Sequence, residues 1–262
     1  ERFREGLVVR RDATAISPDE WLTPGTDVFF YRRPAPETPV PYEIRTVFED
    51  DTILVVDKPP FLATMPRASH ITETATVRLR RATGNEELTP AHRLDRGTSG
   101  LLLFTKRRHA RGPYQELFAR REVDKMYEAI APYVDVAAPT EWSHHLVKVA
   151  GEPAGSIVDE LEPNSHTEVA SVTRLGASEE RELQRLYGVD APLARYVLHP
   201  ITGRTHQLRL QMMAEAAPIL GDTIYPTLLP AGAEDFSTPM RLRCTGLALI
   251  DPLTGEPRSF SV

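Results

Sequence analysis

The chain has 262 residues, 41% of them hydrophobic, which is enough for a normal globular core in one large or two small domains. No apolar run reaches the roughly 18 residues that a membrane span requires, so no membrane association is expected. Cys244 is the single cysteine, which excludes an internal disulfide and, without a signal-peptide pattern, favours a cytoplasmic location. The sequence has no paired Cys/His spacing typical of zinc sites, so no metal is expected.

The net charge of -6 conceals an uneven distribution. Residues 67–125 contain 13 lysines and arginines but 7 aspartates and glutamates, a local charge of +6, whereas the rest of the chain carries -12. A localised basic face is typical of phosphate binding, whatever the total charge. The alternative left open by the sequence is that basic and acidic residues interleave in three dimensions.

Two N-terminal segments precede the part of the chain with the strongest patterns. Residues 1–33 alternate short apolar runs with a Pro-Gly-Thr-Asp turn at 24–27, which predicts a β-hairpin or small sheet. Residues 34–42 carry four prolines and predict an extended linker. We therefore expect a small β-rich segment, a linker and a larger domain over residues 43–262.

In the larger domain, strand and helix patterns alternate without the regular spacing of βαβ units. Strands are predicted at 53–56, 101–104, 123–130 and 195–198, helices at 73–83, 108–122 and 179–186, and a closing hairpin over 247–260. Thr205 can N-cap a further helix of about 12 residues that runs through Ala217. This order predicts an α+β fold with a mixed, largely antiparallel sheet and flanking helices.

The most specific pattern is His-Arg-Leu-Asp-Arg-Gly-Thr-Ser-Gly at residues 92–100, followed by an apolar strand. Asp95 lies between Arg93 and Arg96, and flanking positive charge favours the ionised carboxylate. An ionised aspartate in a fixed turn can act as a nucleophile, and two guanidiniums can hold phosphates bidentately. The combination suggests chemistry on a nucleotide. Spacing alone is equally compatible with Asp95 only pairing with Arg93 or Arg96 on a loop.

This string closely resembles the signature of the RluA-type pseudouridine synthases, HRLD-x-x-TSG-LLL-F-x-K. The resemblance implies an RNA pseudouridine synthase, an isomerase, with Asp95 as the catalytic nucleophile. Residues 49–59 also resemble the family's opening motif, E-D-x-x-hydrophobic-V-V-x-K-P, which we interpret as structural. Pseudouridine formation needs no redox change and no group donor, so no cofactor is implied.

Two further motifs carry the other catalytic residues that the resemblance implies. Residues 125–129 resemble K-x-Y-x-A, which implies that Tyr127 stacks on the uracil and that Lys125 contacts phosphate or braces a loop. Residues 203–209 resemble G-R-[ST]-H-Q-[LI]-R, which implies that Arg209 pairs with Asp95. Considered alone, Tyr127 is more simply interpreted as a core strand residue and Arg209 as a solvated helix residue. The substrate contacts implied with Lys125 are Arg93, Arg96, Arg204, His206 and Leu242.

The chain departs from the family pattern at two places. Gln211 replaces the final histidine of R-V-H, and Arg243-Cys244 follow Leu242 where His-Ala is usual. Residues 221–225 fit the family's G-D-x-x-Y, which we interpret as a structural turn. The N-terminal pattern is similar to the second half of a small RNA-binding module that is often fused ahead of these enzymes.

The sequence thus predicts an enzyme that modifies structured ribosomal or transfer RNA, as a monomer without an obligate protein partner. One alternative is a non-catalytic RNA-binding or chaperone protein with the same fold. Another is a glycosidase or nucleosidase, which would need a second carboxylate at a matched distance from Asp95.

Overall fold

A computed structural model of the protein describes residues 1–31, 36–67, 70–230 and 235–262. Its helices are α1 (Ala75–Thr83), α2 (Arg108–Arg120), α3 (Ala177–Tyr187) and α4 (Gln207–Ala214). Its strands are β1 (Val8–Val9), β2 (Phe29–Phe30), β3 (Arg45–Glu49), β4 (Ile53–Lys58), β5 (Thr89–Pro90), β6 (Ser99–Thr105), β7 (Val123–Pro132), β8 (Thr140–His144), β9 (Leu146–Val147), β10 (Ser156–Ile157), β11 (Ser165–Arg174), β12 (Leu193–Pro200), β13 (Leu242–Ile250) and β14 (Pro257–Ser261).

A ten-stranded sheet forms the centre of the molecule, in the order β3-β4-β6-β13-β7-β12-β11-β8, with β14 paired to β13 and β5 to β6. Among the described strands, β6 and β13 run parallel and all other pairs are antiparallel. The prediction of an α+β fold with a mixed, largely antiparallel sheet is confirmed. The helices predicted at 73–83, 108–122 and 179–186 are also confirmed, each with ends within two residues of those expected.

The parallel pairing of β6 with β13 explains one glycine of the motif. Gly100 lies opposite Cys244 with a φ of 102°, and a Cβ at this position would overlap the Cys244 backbone. Glycine is the residue that permits both the left-handed conformation and this close approach. On its other side β13 pairs with β7, where Cys244 lies opposite Tyr127. The glycine therefore brings the turn that carries Asp95 next to the strand that carries Tyr127.

The core lies around two strands that are buried on both faces. All six residues of β4 are buried, and so are the last six residues of β6. Continuous apolar strands of this kind need cover on each side, and each fully buried leucine or valine contributes about 1.5–3 kcal/mol. On α2, Ala110 and Tyr114 are buried and Leu117 and Phe118 pack partly buried against the core, while basic residues such as Arg108 and Arg120 lie on the exposed surface of the helix.

The prediction for the helix after the Gly-Arg motif was wrong at both ends. Helix α4 begins at Gln207, and its N-cap residue is His206 in the left-handed conformation, while Thr205 is exposed. The side chain of Gln207 causes the difference, because its Oε1 accepts hydrogen bonds from the Arg204 amide and the Thr202 hydroxyl. The helix stops at Ala214 rather than at residue 217, since Ala216 has a φ of 57°.

The N-terminal part contains the predicted small sheet, in which β1 and β2 pair antiparallel. The expected boundary between the segments, at residues 33 and 34, lies outside the described residues, so the division into domains stays a prediction. From residue 36 onward the proline-rich segment has no helix or strand up to β3. It is nevertheless tied to the larger domain, because the Glu37 carboxylate accepts hydrogen bonds from the amides of Ile71, Thr72 and Glu73.

Candidate active site

A cavity of about 630 Å³ lies between the Asp95 turn, the second half of α2, the start of β7 and the turn between β12 and α4. Eight of the nine predicted site residues line it: Arg93, Asp95, Lys125, Tyr127, Arg204, His206, Arg209 and Leu242. The ninth, Arg96, lines a neighbouring cavity of about 230 Å³, which also contacts Asp95, His206 and Arg209. The fold thus gathers residues that are separated by more than a hundred positions in the sequence.

The turn that carries Asp95 is fixed by hydrogen bonds on both sides. The Thr64 hydroxyl donates to the Leu94 carbonyl and accepts from the Leu94 amide, and the Thr98 amide donates to the Asp95 carbonyl. The Asp95 side chain itself remains 25% exposed. A rigid backbone therefore presents a carboxylate that a ligand in the cavity can reach.

The Asp95 carboxylate contacts Arg209, which lies 114 residues further along the chain, with 3.3 Å between Oδ2 and the guanidinium. The principal partner of Arg209 is a residue that the sequence reasoning missed. Asp222 accepts two hydrogen bonds from the same guanidinium, at 2.7 and 2.6 Å, and its side chain is 1% exposed. Its turn was interpreted only as structural, although the motif G-D-x-x-Y did mark the position. Asp222 fixes Arg209 so that the remaining nitrogen faces Asp95.

Lys58, at the end of β4, is a second residue that the sequence reasoning missed. Its ammonium group is fully buried and donates hydrogen bonds to the carbonyls of Pro59, Leu62 and Arg96. Burial lowers the pKa of Lys58 to about 7, although the Asp95 carboxylate opposes the shift. The bond to Arg96 connects β4 directly to the Asp95 turn. The sequence marked Lys58 only through the Lys-Pro pair of the opening motif. That pair does not by itself predict that the lysine packs against the turn that carries Asp95.

Tyr127 and Leu242 form the apolar side of the cavity, and both are buried. Burial raises the pKa of the Tyr127 phenol well above its usual value, so the hydroxyl is protonated at neutral pH. His92 and Phe118 stack at the opposite wall, with 4.2 Å between ring centroids. These aromatic and aliphatic surfaces suit a planar base.

The polar side of the cavity is strongly positive. Arg93, Lys125, Arg204 and Arg209 line it, whereas Asp95 is the sole carboxylate among the described lining residues. Burial lowers the pKa of Lys125. The arrangement therefore combines one carboxylate with several groups that can bind phosphate.

A family model of RNA pseudouridylate synthases matches residues 52–214. This chain belongs to that family. The match includes the Asp95, Tyr127 and Arg209 motifs and so covers the residues that the cavity brings together.

Curated relatives in the family are similar in sequence to this protein over most of the chain. The dual-specificity RNA pseudouridine synthase RluA of Pasteurella multocida is 33% identical, over 82% of this chain and 90% of its own length. The corresponding enzyme of Escherichia coli K12 is 30% identical over the same shares. A tRNA pseudouridine(31) synthase of Saccharomyces cerevisiae is 29% identical, over 68% of this chain and 45% of its own length.

The fold is similar to that of solved members of the family. The structure of human RNA pseudouridylate synthase domain containing 1 superposes with a TM-score of 0.65 at 24% identity, and covers 87% of this chain and 85% of the human one. The predictions of a pseudouridine-synthase fold and of an enzyme of the RNA pseudouridine synthase family, an isomerase, are confirmed.

The described residues contain no group of three or more His, Cys, Asp or Glu side chains arranged to hold a metal ion. None of the helices in this part of the chain is long and apolar enough to cross a membrane.

Proposed function

We propose that the protein isomerises uridine to pseudouridine within structured RNA, with Asp95 as the nucleophile. The observation that carries the assignment of Asp95 is its position as the one carboxylate among the described residues that line the cavity. Hydrolysis of a glycosidic bond normally uses two carboxylates, one on each side of the bond. Asp222 does not supply the second, because both its oxygens are bound to Arg209 and its side chain is buried.

The isomerisation breaks the bond between ribose C1′ and N1 of uracil, rotates the base, and joins C1′ to C5. C5 then loses its proton and N1 gains one, so the composition of the nucleotide is unchanged. The Asp95 carboxylate either attacks the sugar or assists formation of a glycal, and both paths require its ionised form. The Arg209 guanidinium at 3.3 Å stabilises that form. Tyr127 and Leu242, which are buried and line the cavity, would hold the detached base beside the ribose.

We propose that the target uridine enters the cavity after it has been flipped out of its stack. A volume of about 630 Å³ is sufficient for a nucleotide. Arg93 and Arg204 are exposed at the cavity and are suited to contact flanking phosphates, with Lys125 deeper inside. Arg93, beside the nucleophile, could fill the space that the uridine leaves, and Arg96 would act from the neighbouring cavity.

The substrate class that we propose is ribosomal or transfer RNA. The names of two relatives support it in general terms: one group is called dual-specificity, and the yeast enzyme is named for position 31 of tRNA. We further propose a monomeric enzyme without a cofactor or an obligate protein partner. The single cysteine supports a cytoplasmic location.

Product analysis tests this proposal. Purified protein is incubated with total RNA from cells that lack it, and the RNA is digested to nucleosides and separated by chromatography. We expect pseudouridine to increase at the expense of uridine without a change of mass and without free uracil. Free uracil and abasic sites would instead indicate a nucleosidase. No change in any nucleoside, with RNA still bound, would indicate the non-catalytic RNA-binding alternative. Pseudouridine mapping in cells with and without the protein then identifies the position.

A further inference from the structure

Nε2 of His206 faces the same oxygen of Asp95, Oδ2, that contacts Arg209. We propose that His206 is a positioning residue that acts as a neutral imidazole, with its Nε2–H directed at Asp95 and its tautomer fixed by the hydroxyl of Tyr225. The proposal rests on the role of Asp95 as nucleophile. It gives His206 a role towards Asp95 in addition to the substrate contact that the resemblance implies, and it gives Tyr225 a role beyond that of a structural turn.

A continuous set of contacts leads from the β9–β10 hairpin to the nucleophile. The Gly155 amide donates to the Tyr225 hydroxyl oxygen at 2.6 Å, and that oxygen lies 2.9 Å from Nδ1 of His206. Nε2 of the same ring lies 3.9 Å from Oδ2 of Asp95. The rings of His206 and Tyr225 meet edge to face, with 5.6 Å between centroids. The imidazole is thus held from one side and exposed to Asp95 on the other.

The Gly155 hydrogen bond favours a Tyr225 hydroxyl that donates its proton to His206. A phenol has one proton, and its oxygen already accepts from the Gly155 amide. Among the described residues, Nδ1 of His206 is the acceptor within reach of that phenolic proton. Nδ1 must then be unprotonated, so a neutral ring carries its proton on Nε2, opposite the carboxylate. A donor at 3.9 Å is too distant for a hydrogen bond at rest, but a small shift of Asp95 towards the substrate or of the ring closes the gap.

The surroundings of the ring favour the neutral form on balance. Burial lowers the pKa of His206, and the cations Arg209 and Lys148 act in the same direction. The carboxylates of Asp95 and Asp222 oppose them. A neutral Nε2–H can orient Asp95 without adding a second ion pair to the one with Arg209, and a second ion pair would weaken the nucleophile. The backbone supports this geometry, because His206 is the left-handed N-cap of α4 and the ring therefore leaves the helix end towards the cavity.

Packing of the β9–β10 hairpin against α4 holds the Gly155 amide within hydrogen-bonding distance of the Tyr225 hydroxyl. A Cβ at Gly155 would lie 3.0 Å from the Val147 carbonyl oxygen and 3.1 Å from a methyl group of Leu210 on α4. Glycine at this position lets the hairpin approach the helix closely enough for its amide to reach Tyr225. Leu146 and Leu210 pack with Tyr225 in one buried cluster and hold the phenol in place.

The direct test is the tautomer itself, read from the side-chain nitrogen resonances of His206 in two-bond proton–nitrogen spectra of the full chain. The resonances are assigned by their loss in His206→Gln. We expect a neutral ring protonated on Nε2 between pH 6 and 8. A ring protonated on Nδ1, or an imidazolium at pH 7, would overturn the proposal even if the enzyme is fully active.

The functional test is the pH profile of the single-turnover rate at saturating enzyme. Tyr225→Phe frees Nδ1 to bind a proton, so the imidazolium becomes accessible as the pH falls below about 6.5. We expect a roughly tenfold lower rate and a new loss of rate on the acid side, with RNA affinity unchanged. His206→Ala should lose rate at all pH values, whereas His206→Gln, which has an amide donor but no titratable ring, should recover part of it without the acid limb.

Tyr196→Phe is the matched control. Its hydroxyl also accepts from one backbone amide, that of Val134, and donates to one acceptor, the Pro132 carbonyl, but it lies away from Asp95. If Tyr196→Phe produces the same acid limb, or if Tyr225→Phe keeps the wild-type profile, His206 does not act in the proposed way. If the wild-type protein forms no pseudouridine, the proposed function fails, whatever the tautomer of His206.

Discussion

Two carboxylates, Asp222 and Asp95, contact Arg209, and they differ in burial and in the number of hydrogen bonds that they accept. Asp222 accepts two charge-assisted bonds from Arg209 and two more hydrogen bonds from the amides of Ile224 and Tyr225, and it is almost fully buried. Asp95 has a single 3.3 Å contact with the same guanidinium and stays partly exposed to the cavity. A buried carboxylate that accepts four hydrogen bonds stabilises the structure, whereas a partly exposed one with a single contact to a cation can attack a substrate.

Arg209→Ala should have the largest effect on turnover and stability together, because it removes the partner of both carboxylates. Single-turnover rates should fall by orders of magnitude while the dissociation constant for RNA changes modestly, since RNA contacts are spread over many basic residues. Loss of a buried pair also costs about 3–5 kcal/mol of unfolding free energy. Arg209→Lys should recover little of the rate, because an ammonium group cannot donate two hydrogen bonds to Asp222 in bidentate geometry and also contact Asp95. Normal turnover of Arg209→Ala at saturating RNA would make Arg209 a docking residue.

The substitution Asp222→Asn tests the structural role that we assign to the second carboxylate. The amide keeps the shape but removes the charge that compensates a buried guanidinium, so the free energy of unfolding should fall by about 3 kcal/mol. Urea unfolding measures this loss, and product formation at a temperature where the variant is folded measures the remaining activity. Stability equal to that of the wild type would show that Asp95 alone suffices to neutralise Arg209.

The basic face should contribute to binding rather than to chemistry. RNA affinity should fall steeply with salt despite the acidic total charge, because phosphate contacts release counterions. Arg107 and Arg108 are exposed at the start of α2, and reversal of both to Glu should reduce the salt slope by up to about two. The matched control reverses Arg181 and Arg185, which are equally exposed on α3 in an acidic stretch. Equal losses from both reversals would argue against a docking face around α2.

The smallest effect is expected in the pH dependence of the unfolding free energy, and it involves His92 in the cavity lining. Nε2 of His92 accepts a hydrogen bond from the Leu103 amide, and burial lowers the pKa of His92 to about 3. The unfolded chain binds a proton at this residue below about pH 6.5 but the folded protein does not, so stability is lost as pH falls from 6.5 towards 3. His92→Gln retains an acceptor without a titratable ring. The loss of unfolding free energy between pH 7 and pH 5 should therefore be about 2 kcal/mol smaller in this variant, and an unchanged loss would contradict the assignment.

The sequence predicted the main elements of the fold and the charged residues that line the cavity, because periodicity and ungapped motifs are local. It did not predict what depends on packing between distant segments. The choice of Asp222 as the main partner of Arg209 is of this kind, and so is the burial of Lys58 beneath the Asp95 turn. A capping pattern assigns the cap of α4 to Thr205 because it does not reveal that the Gln207 side chain donates to the His166 carbonyl, 41 residues earlier in the chain.

The most direct measurement of the central claim is the release of tritium from uridine labelled at C5 in RNA, catalysed by Asp95→Asn, with its unfolding free energy recorded beside it. The amide has the shape of the carboxylate but neither its charge nor its nucleophilicity. We predict that release stops, while RNA binding stays intact and the unfolding free energy changes by less than about 1 kcal/mol, in contrast to Asp222→Asn. Release near the wild-type rate would contradict the assignment of Asp95 as the nucleophile.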